Sequence, residues 1–388
     1  MSDYTHNLVS LLVYHAQTRP EAIALRHKKF GLWQQWSWQK LLQLSEKYAS
    51  ALDRYGFTKG QSFLILSTPN TEVVAISLAI QALGGKVQLI DHGVEQLAAE
   101  ALLNHLAIIQ PDYILIEQLE QLGSLQQLNY HPAYIFYIEH SNASSFNHDY
   151  IVDLMALLAD ERGHAQLEFK RLPIQQSQLA FSFERVEANQ RFRVCYSHQE
   201  LIEEAQQLIH THDLDHNEEA FIARAFSSVG HIRYLWSSWL LAGFSLNIPE
   251  TLQTRDQDRQ VIAPTLVLGT QATYVRVEQL ISRRLPQPHT WLAKTYQSAL
   301  LKLQQKQKLT LVQRGIIVLF RQVILEELGF SRLKTALIVG QPVEMTTQQF
   351  YQGLGVQLQH WGQYTEWRST QVSVTPHDFP NLPITTIN

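Results

Sequence analysis

The chain has 388 residues, of which 45 % are apolar and 17 % charged, with a formal net charge of −4. This length exceeds what one hydrophobic core usually serves, so we expect two or three packed subdomains. The balance of 31 basic and 35 acidic residues gives no electrostatic reason to expect nucleic acid as a partner. The single cysteine, Cys195, excludes an internal disulfide bond.

Two features that the sequence lacks, a transmembrane segment and a secretory signal, bear on where in the cell the protein is located. No run of about 18 apolar residues occurs, so no transmembrane segment is predicted. The beginning, MSDYTHNLVS, lacks the pattern of a secretory signal. We therefore expect a cytoplasmic protein.

Helical and strand-like patterns alternate from the beginning of the chain. Ser37 precedes an apolar-periodic run and is the expected N-cap of a helix. The pair Gly84-Gly85 is a typical end of another helix. Short apolar runs separated by helices of this length favour parallel strands. The predicted elements are a helix at 7–17, strands at 21–27 and 31–38 paired as a hairpin, a helix at 38–55, a strand at 62–67, a helix at 71–83, and strands at 86–90 and 113–117.

The second half repeats the alternation after an irregular stretch at about 120–175. Ser197 and Glu200 form a capping-box pattern that opens a helix. Buried strands are expected at 264–269 and 334–340. The helical region between them, about 275–328, mixes basic and apolar residues, a pattern also seen in helices at membrane surfaces, although a core-facing helix explains it better. We expect one α/β subdomain over 1–175 and a second over 176–388.

Several phrases, in order along the chain, resemble the AMP-forming acyl-CoA synthetases, above all the long-chain fatty acid–CoA ligases. These phrases are RPEAIAL at 19–25, GLWQQWSW at 31–38, YGFTKGQSFLILSTPNTEVVAISLAIQALGG at 55–85, LKTALIVGQPVEM at 333–345 and LGVQLQHWGQYTEW at 354–367. The resemblance implies two packed α/β subdomains like the N-terminal region of that family. The family's β-barrel subdomain and its C-terminal domain, which carries a catalytic lysine, have no counterpart in the sequence, so we expect a truncated member.

The family joins a carboxylate to AMP, using ATP and Mg²⁺, and then passes the acyl group to coenzyme A. A loop rich in glycine, serine and threonine holds the triphosphate through backbone N–H groups. The resemblance places this loop at 181–193, FSFERVEANQRFR, which contains no glycine, threonine or lysine. Glu184 and Glu187 would repel phosphate, whereas Arg191 and Arg193 offer positive charge. A rewritten loop or hairpin is the better interpretation, and no catalytic residue is assigned.

The remaining family motifs give candidate binding residues. Gly340 and Pro342 stand where the family has its adenine slot, although a Gly-x-Pro turn after a strand needs no ligand. Thr365 and Glu366 stand where a threonine touches the α-phosphate and a glutamate holds magnesium. Carboxylate oxygen suits that ion, but an isolated glutamate is usually a solvated side chain.

Histidines supply the last candidates. His231 matches the family's acyl-side motif, although a lone histidine beside an apolar helix is more often a packed polar residue. His210, His212, Asp213 and His216 are residue types that bind zinc or nickel, but a solvated turn at the end of a helix explains them better.

Two functions remain open. The chain is either a catalytically degenerate homologue that binds a fatty acid, an acyl-CoA or a protein partner in fatty-acid metabolism, or an active ATP-dependent fatty acid–CoA ligase or acyl-adenylate-forming enzyme. The active enzyme would act alone or be completed by a partner chain. ATP and Mg²⁺ are expected only where activity remains.

Overall fold

The computed structural model describes residues 7–90, 99–118, 121–125, 130–138, 149–159, 166–187, 190–222, 229–282 and 310–362, and between the last two ranges 291, 294–295, 298–299, 302 and 307–308. Two seven-stranded sheets organise these residues. The strands are β1 (Ile23–Lys29), β2 (Leu32–Ser37), β3 (Ser62–Leu66), β4 (Lys86–Ile90), β5 (Tyr113–Ile116), β6 (Tyr134–Tyr137), β7 (Ile151–Asp153), β8 (Leu179–Glu187), β9 (Gln190–Ser197), β10 (Glu219–Phe221), β11 (Ser245–Ile248), β12 (Leu266–Gly269), β13 (Thr335–Ile338) and β14 (Leu358–His360).

Helices lie between most consecutive strands, as a parallel sheet requires. They are α1 (Leu8–Thr18), α2 (Trp38–Arg54), α3 (Thr71–Ala82), α4 (Ala99–Ile109), α5 (Gln121–Leu125), α6 (Leu154–Ala159), α7 (His198–His212), α8 (Ser237–Ala242), α9 (Arg255–Ile262), α10 (Gln271–Ser282), α11 (Leu311–Glu327) and α12 (Met345–Gly353). A 3₁₀ turn (Phe169–Arg171) and a π-helical turn (His231–Trp236) complete the described elements.

Local capping explains where the predicted helices begin. The Ser37 side chain accepts a hydrogen bond from the Lys40 N–H at the start of α2. Ser197 and Glu200 form the predicted capping box at the start of α7. Each cap satisfies a backbone donor that the first helical turn leaves unpaired. The caps and the strands expected from 21 to 117 are therefore confirmed within one or two residues.

Sheet 1 has the order β7-β6-β5-β3-β4-β8-β9, and sheet 2 has the order β14-β13-β12-β10-β11-β1-β2. Every neighbouring pair is parallel except the hairpins β1–β2 and β8–β9 at one edge of each sheet. Each sheet draws strands from both sides of residue 175, since β1 and β2 pair into sheet 2 and β8 and β9 into sheet 1. The subdomain boundary near 175 stays a prediction.

The largest core lies between the sheets and joins them. It contains Phe63 and Phe181 from sheet 1 and Leu246 and Leu337 from sheet 2, together with side chains of α1, α2, α3, α7 and α8. Smaller cores lie on the outer faces, one under α4 and α5 and one under α10, α11 and α12. The architecture is thus the expected pair of packed α/β layers.

Candidate functional site

The carboxyl ends of three strands meet at one edge of sheet 2. Gly269 of β12 lies beside Ile338 of β13, which lies beside His360 of β14. Open parallel sheets bind ligands at this edge, where the chain leaves each strand. The sequence-predicted residues Gly340 and Pro342, and the turn at 361–362, follow directly from these strands.

Gly340 lies in a turn that its neighbours hold in place. Its φ of +79° lies in the left-handed region, which glycine adopts without strain. Its carbonyl accepts a hydrogen bond from His360 Nε2 at 2.7 Å, and the Trp361 N–H donates to the Ile338 carbonyl at 2.8 Å. Pro342 is exposed. Backbone and histidine contacts therefore account for this turn without a ligand, and its adenine role stays a prediction.

The next turn packs against aromatic rings. Gly362 has a φ of +84°, and a Cβ built on it would lie 2.4 Å from Tyr234 Oη. The Trp361 ring lies 5.1 Å from the His212 ring and 6.5 Å from the Tyr234 ring, edge to face in both cases. His212, expected in a solvated turn, instead packs against Trp361 at the end of α7. Thr365 and Glu366 lie outside the described residues.

Metal binding by the histidines at 210–216 gains no support. His212 ends α7, and Asp213 caps the helix in the left-handed conformation at φ +50°. Among the described residues, no group of three or more His, Cys, Asp and Glu side chains is arranged to hold a metal ion.

The π-helical turn brings a buried cation close to the site. His231 begins this turn and is 2 % exposed. Arg233, also 2 % exposed, forms an ion pair with Glu204 of α7. Its guanidinium lies 5.6 Å from the Tyr196 ring centre and 5.0 Å from that of Tyr234. Burial is the largest single influence on the pKa of Arg233 and lowers it, but the hydrogen bond to Glu204 and the electrostatic effects of Tyr196, Tyr234 and Glu204 together raise that pKa.

Sequence reasoning identified His231 but missed this ion pair. The available signal was an arginine inside the apolar run HIRYLW, since a buried guanidinium requires a partner. The pair links α7 to the turn that contacts Gly362. Whether His231 contacts an acyl group stays a prediction.

The segment expected to hold triphosphate is a continuous hairpin. Cross-strand pairing runs from Leu179–Ser197 outward to Glu187–Gln190, and it includes Glu184–Arg193. A phosphate loop needs backbone N–H groups that point away from neighbouring strands, whereas a ladder engages them in pairs. Residues 181–187 and 190–193 therefore form the expected hairpin, and the backbone of these described residues does not form a glycine-type cradle.

Two charged residues of this segment behave differently from the expectation. Glu184 is fully buried, and its carboxylate accepts a hydrogen bond from Arg193 Nε across the hairpin. The sequence predicts that Glu184 repels phosphate and that Arg193 attracts it. In the structure the two side chains neutralise each other. The reason is their direct opposition in the register, which brings opposite charges on one face together.

A depression elsewhere in the described structure does not coincide with this edge. Its volume is about 450 Å³, and its lining includes Arg19, Arg26, His216 and Ser245. Ser245 begins β11, so the depression lies at the amino ends of the strands. It is separate from the site that the sequence motifs indicate.

Comparisons with known proteins bear on the family. Residues 12–145, about a third of the chain, match the family model for AMP-binding enzymes. No curated protein gives a significant sequence match. Solved structures of adenylate-forming ligases share the fold at low sequence identity.

One such structure is a mutant form of coronafacic acid ligase from Pectobacterium brasiliense, with a TM-score of 0.64 and 13 % identity over 92 % of this chain and 61 % of that one. The structure of a putative long-chain-fatty-acid CoA ligase from Rhodopseudomonas palustris has a TM-score of 0.61 and 12 % identity, over 91 % of this chain and 74 % of that one. The structure of a fatty acyl-adenylate ligase from L. pneumophila, in complex with acyl adenylate and pyrophosphate, has a TM-score of 0.60 and 13 % identity, over 92 % of this chain and 54 % of that one.

This chain thus spans about three fifths of the length of the coronafacic acid ligase, and its two sheets correspond to the N-terminal region of such enzymes. Residues 12–145 are thus similar in sequence to AMP-binding enzymes, and the chain shares its fold with adenylate-forming acyl-CoA ligases.

Proposed function

We propose that the chain is a catalytically degenerate homologue of these ligases that binds an acyl ligand without forming an acyl-adenylate. The observation that carries the proposal is the β8–β9 hairpin. Adenylation requires the triphosphate to be held and its charge neutralised while the carboxylate attacks. In the described strands the backbone is paired as a ladder and Glu184 neutralises Arg193, so a triphosphate would meet neither a loop of convergent N–H groups nor the charge of that arginine.

A fatty acid or an acyl-CoA is the ligand class that we propose. Support comes from the shared fold, since two of the solved structures are described as ligases of fatty acyl groups. We assign His231 to the acyl side on the strength of its sequence motif and its place beside the candidate site. A role in fatty-acid metabolism, with a protein partner, follows from the same assignment.

The alternative is an active ATP-dependent ligase, acting alone or completed by a partner chain. Support for it comes from the place of the Gly340 turn and the 360–362 segment at the carboxyl edge of a parallel sheet, where ligands commonly bind. In that case Thr365 and Glu366 would contact the α-phosphate and Mg²⁺.

ATP–pyrophosphate exchange with a panel of fatty acids distinguishes the two functions. The proposal predicts no exchange above the blank, together with a melting temperature that rises when a suitable fatty acid is added without ATP. Exchange that Glu366→Gln abolishes, and that Glu344→Gln retains, would establish the active ligase instead. Glu344 is a matched control because it is exposed and makes no capping hydrogen bond at the start of α12.

A further inference from the structure

Helix α11 is apolar on its outer face as well as its inner one. The inner face contributes Ile324 to the core under α10, α11 and α12. The outer face carries exposed apolar side chains over 311–323, a length of about 18 Å. They form what we call the α11 stripe: Leu311 (84 % exposed), Val312 (59 %), Val318 (63 %), Leu319 (59 %) and Val323 (50 %).

Positive charge accompanies the stripe. Arg314 and Arg321 are both exposed, and their seven-residue spacing puts them on the same flank of the helix, about two turns apart. The Arg321 guanidinium lies beside Gly355, at the edge of the stripe. Within the stripe, 311–323, these two arginines are the charged residues, and Glu326 and Glu327 follow beyond it at the end of α11. The stripe is therefore a locally basic, apolar surface.

We propose that the α11 stripe docks onto the surface of an anionic lipid bilayer. Apolar side chains of such a helix enter the boundary between headgroups and acyl chains, and arginines on the flank meet lipid phosphates. The helix would lie in the plane of the surface, since no described helix has the length and apolar character needed to cross a bilayer. The proposal is independent of the acyl-binding function, because it uses neither the hairpin nor the carboxyl edge of sheet 2.

A lipid surface fits the stripe better than a second copy of the chain does. An antiparallel, two-fold pairing centred on the stripe would set Arg314 of one protomer against Arg321 of its partner. Glu326 and Glu327 of α11 would fall opposite positions 309 and 308 of the partner, not opposite the arginines, so the like charges at the stripe stay uncompensated. Phosphate groups of lipids supply the missing negative charge across the whole surface.

Co-sedimentation of the full chain with vesicles tests the proposal. One set of vesicles contains phosphatidylcholine alone, and the other contains phosphatidylcholine mixed with phosphatidylglycerol. We expect the chain to sediment with the anionic vesicles, and less so at high salt, because salt screens the arginines. The double variant Val318→Ser, Leu319→Ser and the double variant Arg314→Gln, Arg321→Gln are each expected to lower the partition coefficient on the order of tenfold.

Matched controls separate docking from a general loss of apolar surface or charge. Val261→Ser removes a valine of equal exposure, 63 %, from α9. Lys40→Gln with Lys47→Gln removes two exposed positive charges from α2. Both controls should bind anionic vesicles as the unaltered chain does, and circular dichroism should show the same melting for all variants, since every altered side chain is exposed.

Three results would overturn the proposal. The first is no sedimentation with anionic vesicles, and the second is equal sedimentation of the stripe variants and their controls. The third is a concentration-dependent dimer, or a complex with another protein, that Val318→Ser with Leu319→Ser abolishes while vesicle binding persists. That last result would assign the stripe to a protein interface.

Discussion

Buried histidines determine how the free energy of unfolding of this chain depends on pH. The His15 ring lies 4.5 Å from the Trp38 ring, and its Nε2 contacts the Leu240 carbonyl at 2.8 Å. His198 is fully buried, and its Nδ1 accepts a hydrogen bond from the Leu8 N–H. Burial lowers the pKa of each histidine from 6.5 to about 4. The folded chain therefore holds both rings neutral where the unfolded chain protonates them.

The sign of the effect follows from these two pKa values. Above pH 6.5 neither state binds the proton, and the stability is fully present. As the pH falls from 6.5 toward 4, the histidines bind protons in the unfolded state but not in the folded state. The free energy of unfolding therefore decreases by on the order of 3 kcal/mol per histidine. Below about 4 both states are protonated, and this contribution stays constant.

Urea unfolding of His198→Gln at about pH 7.5 and about pH 5 tests this dependence. We expect the variant to be less stable than the unaltered chain at the higher pH but to lose less stability on acidification. His216→Gln is the control, because His216 is exposed and should leave the pH dependence unchanged. An equally steep loss in His198→Gln and in the control would contradict the assignment.

Two glycines should respond oppositely to the same substitution. Gly362→Ala forces alanine into a φ of +84° against Tyr234, which we expect to cost about 1–2 kcal/mol. Gly315→Ala, on the exposed face of α11, meets no atom within 4 Å and should stabilise by about 0.5–1 kcal/mol. Urea midpoints of both variants check this. If Gly362→Ala left the urea midpoint unchanged, the turn that contacts Tyr234 would be loosely packed.

At the scale of elements, the β8–β9 hairpin contains an ion pair whose two side chains are buried to different extents. The Glu184 side chain is fully buried, whereas that of Arg193 is 32 % exposed. Arg193→Gln removes the guanidinium from a buried carboxylate and should cost about 3 kcal/mol or more. Glu184→Gln leaves a guanidinium that water can reach and should cost distinctly less. The two urea midpoints test the order, and a reversed order would show that the carboxylate is stabilised chiefly by other groups.

Local signals explain which elements the sequence predicts well. Ser37 and the pair Ser197–Glu200 mark helix starts through contacts within three residues, so no tertiary information is needed. The pairing of β1 with β11 joins Leu25 to Leu246 across more than half of the chain, and no local pattern specifies it. For the helical region 275–328 the sequence pattern fits both a core-facing and a membrane-surface helix, because periodicity does not tell which of two apolar faces is buried.

The candidate site is less predictable than the elements that carry it. Motif order located Gly340 and the 361–362 turn at one edge, because carboxyl ends of parallel strands meet there. The Arg233–Glu204 pair and the contact of Gly362 with Tyr234 depend on how α7 and the π-helical turn pack, which is a tertiary property. The resemblance therefore indicates which edge of the sheet carries the motif residues, and their role in binding stays a prediction.

At the scale of the whole molecule, one core couples both sheets. Trp38 stacks on Trp239 at 5.3 Å, and the Trp239 indole N–H donates to the Ala24 carbonyl of β1 at 2.9 Å. These contacts place α2 and α8 between the sheets, in a fold that the adenylate-forming ligases share. Our central proposal is that this shared scaffold carries a hairpin in place of the triphosphate cradle.

Calorimetric titration of the chain with ATP and Mg²⁺ tests that proposal most directly. Without a backbone cradle, we expect no saturable heat up to a few millimolar ATP, which corresponds to a binding free energy weaker than about −4 kcal/mol. Saturable binding of one ATP per chain in the micromolar range, weakened by Glu366→Gln but not by Glu344→Gln, would contradict the proposal and would place the triphosphate in the site despite the hairpin.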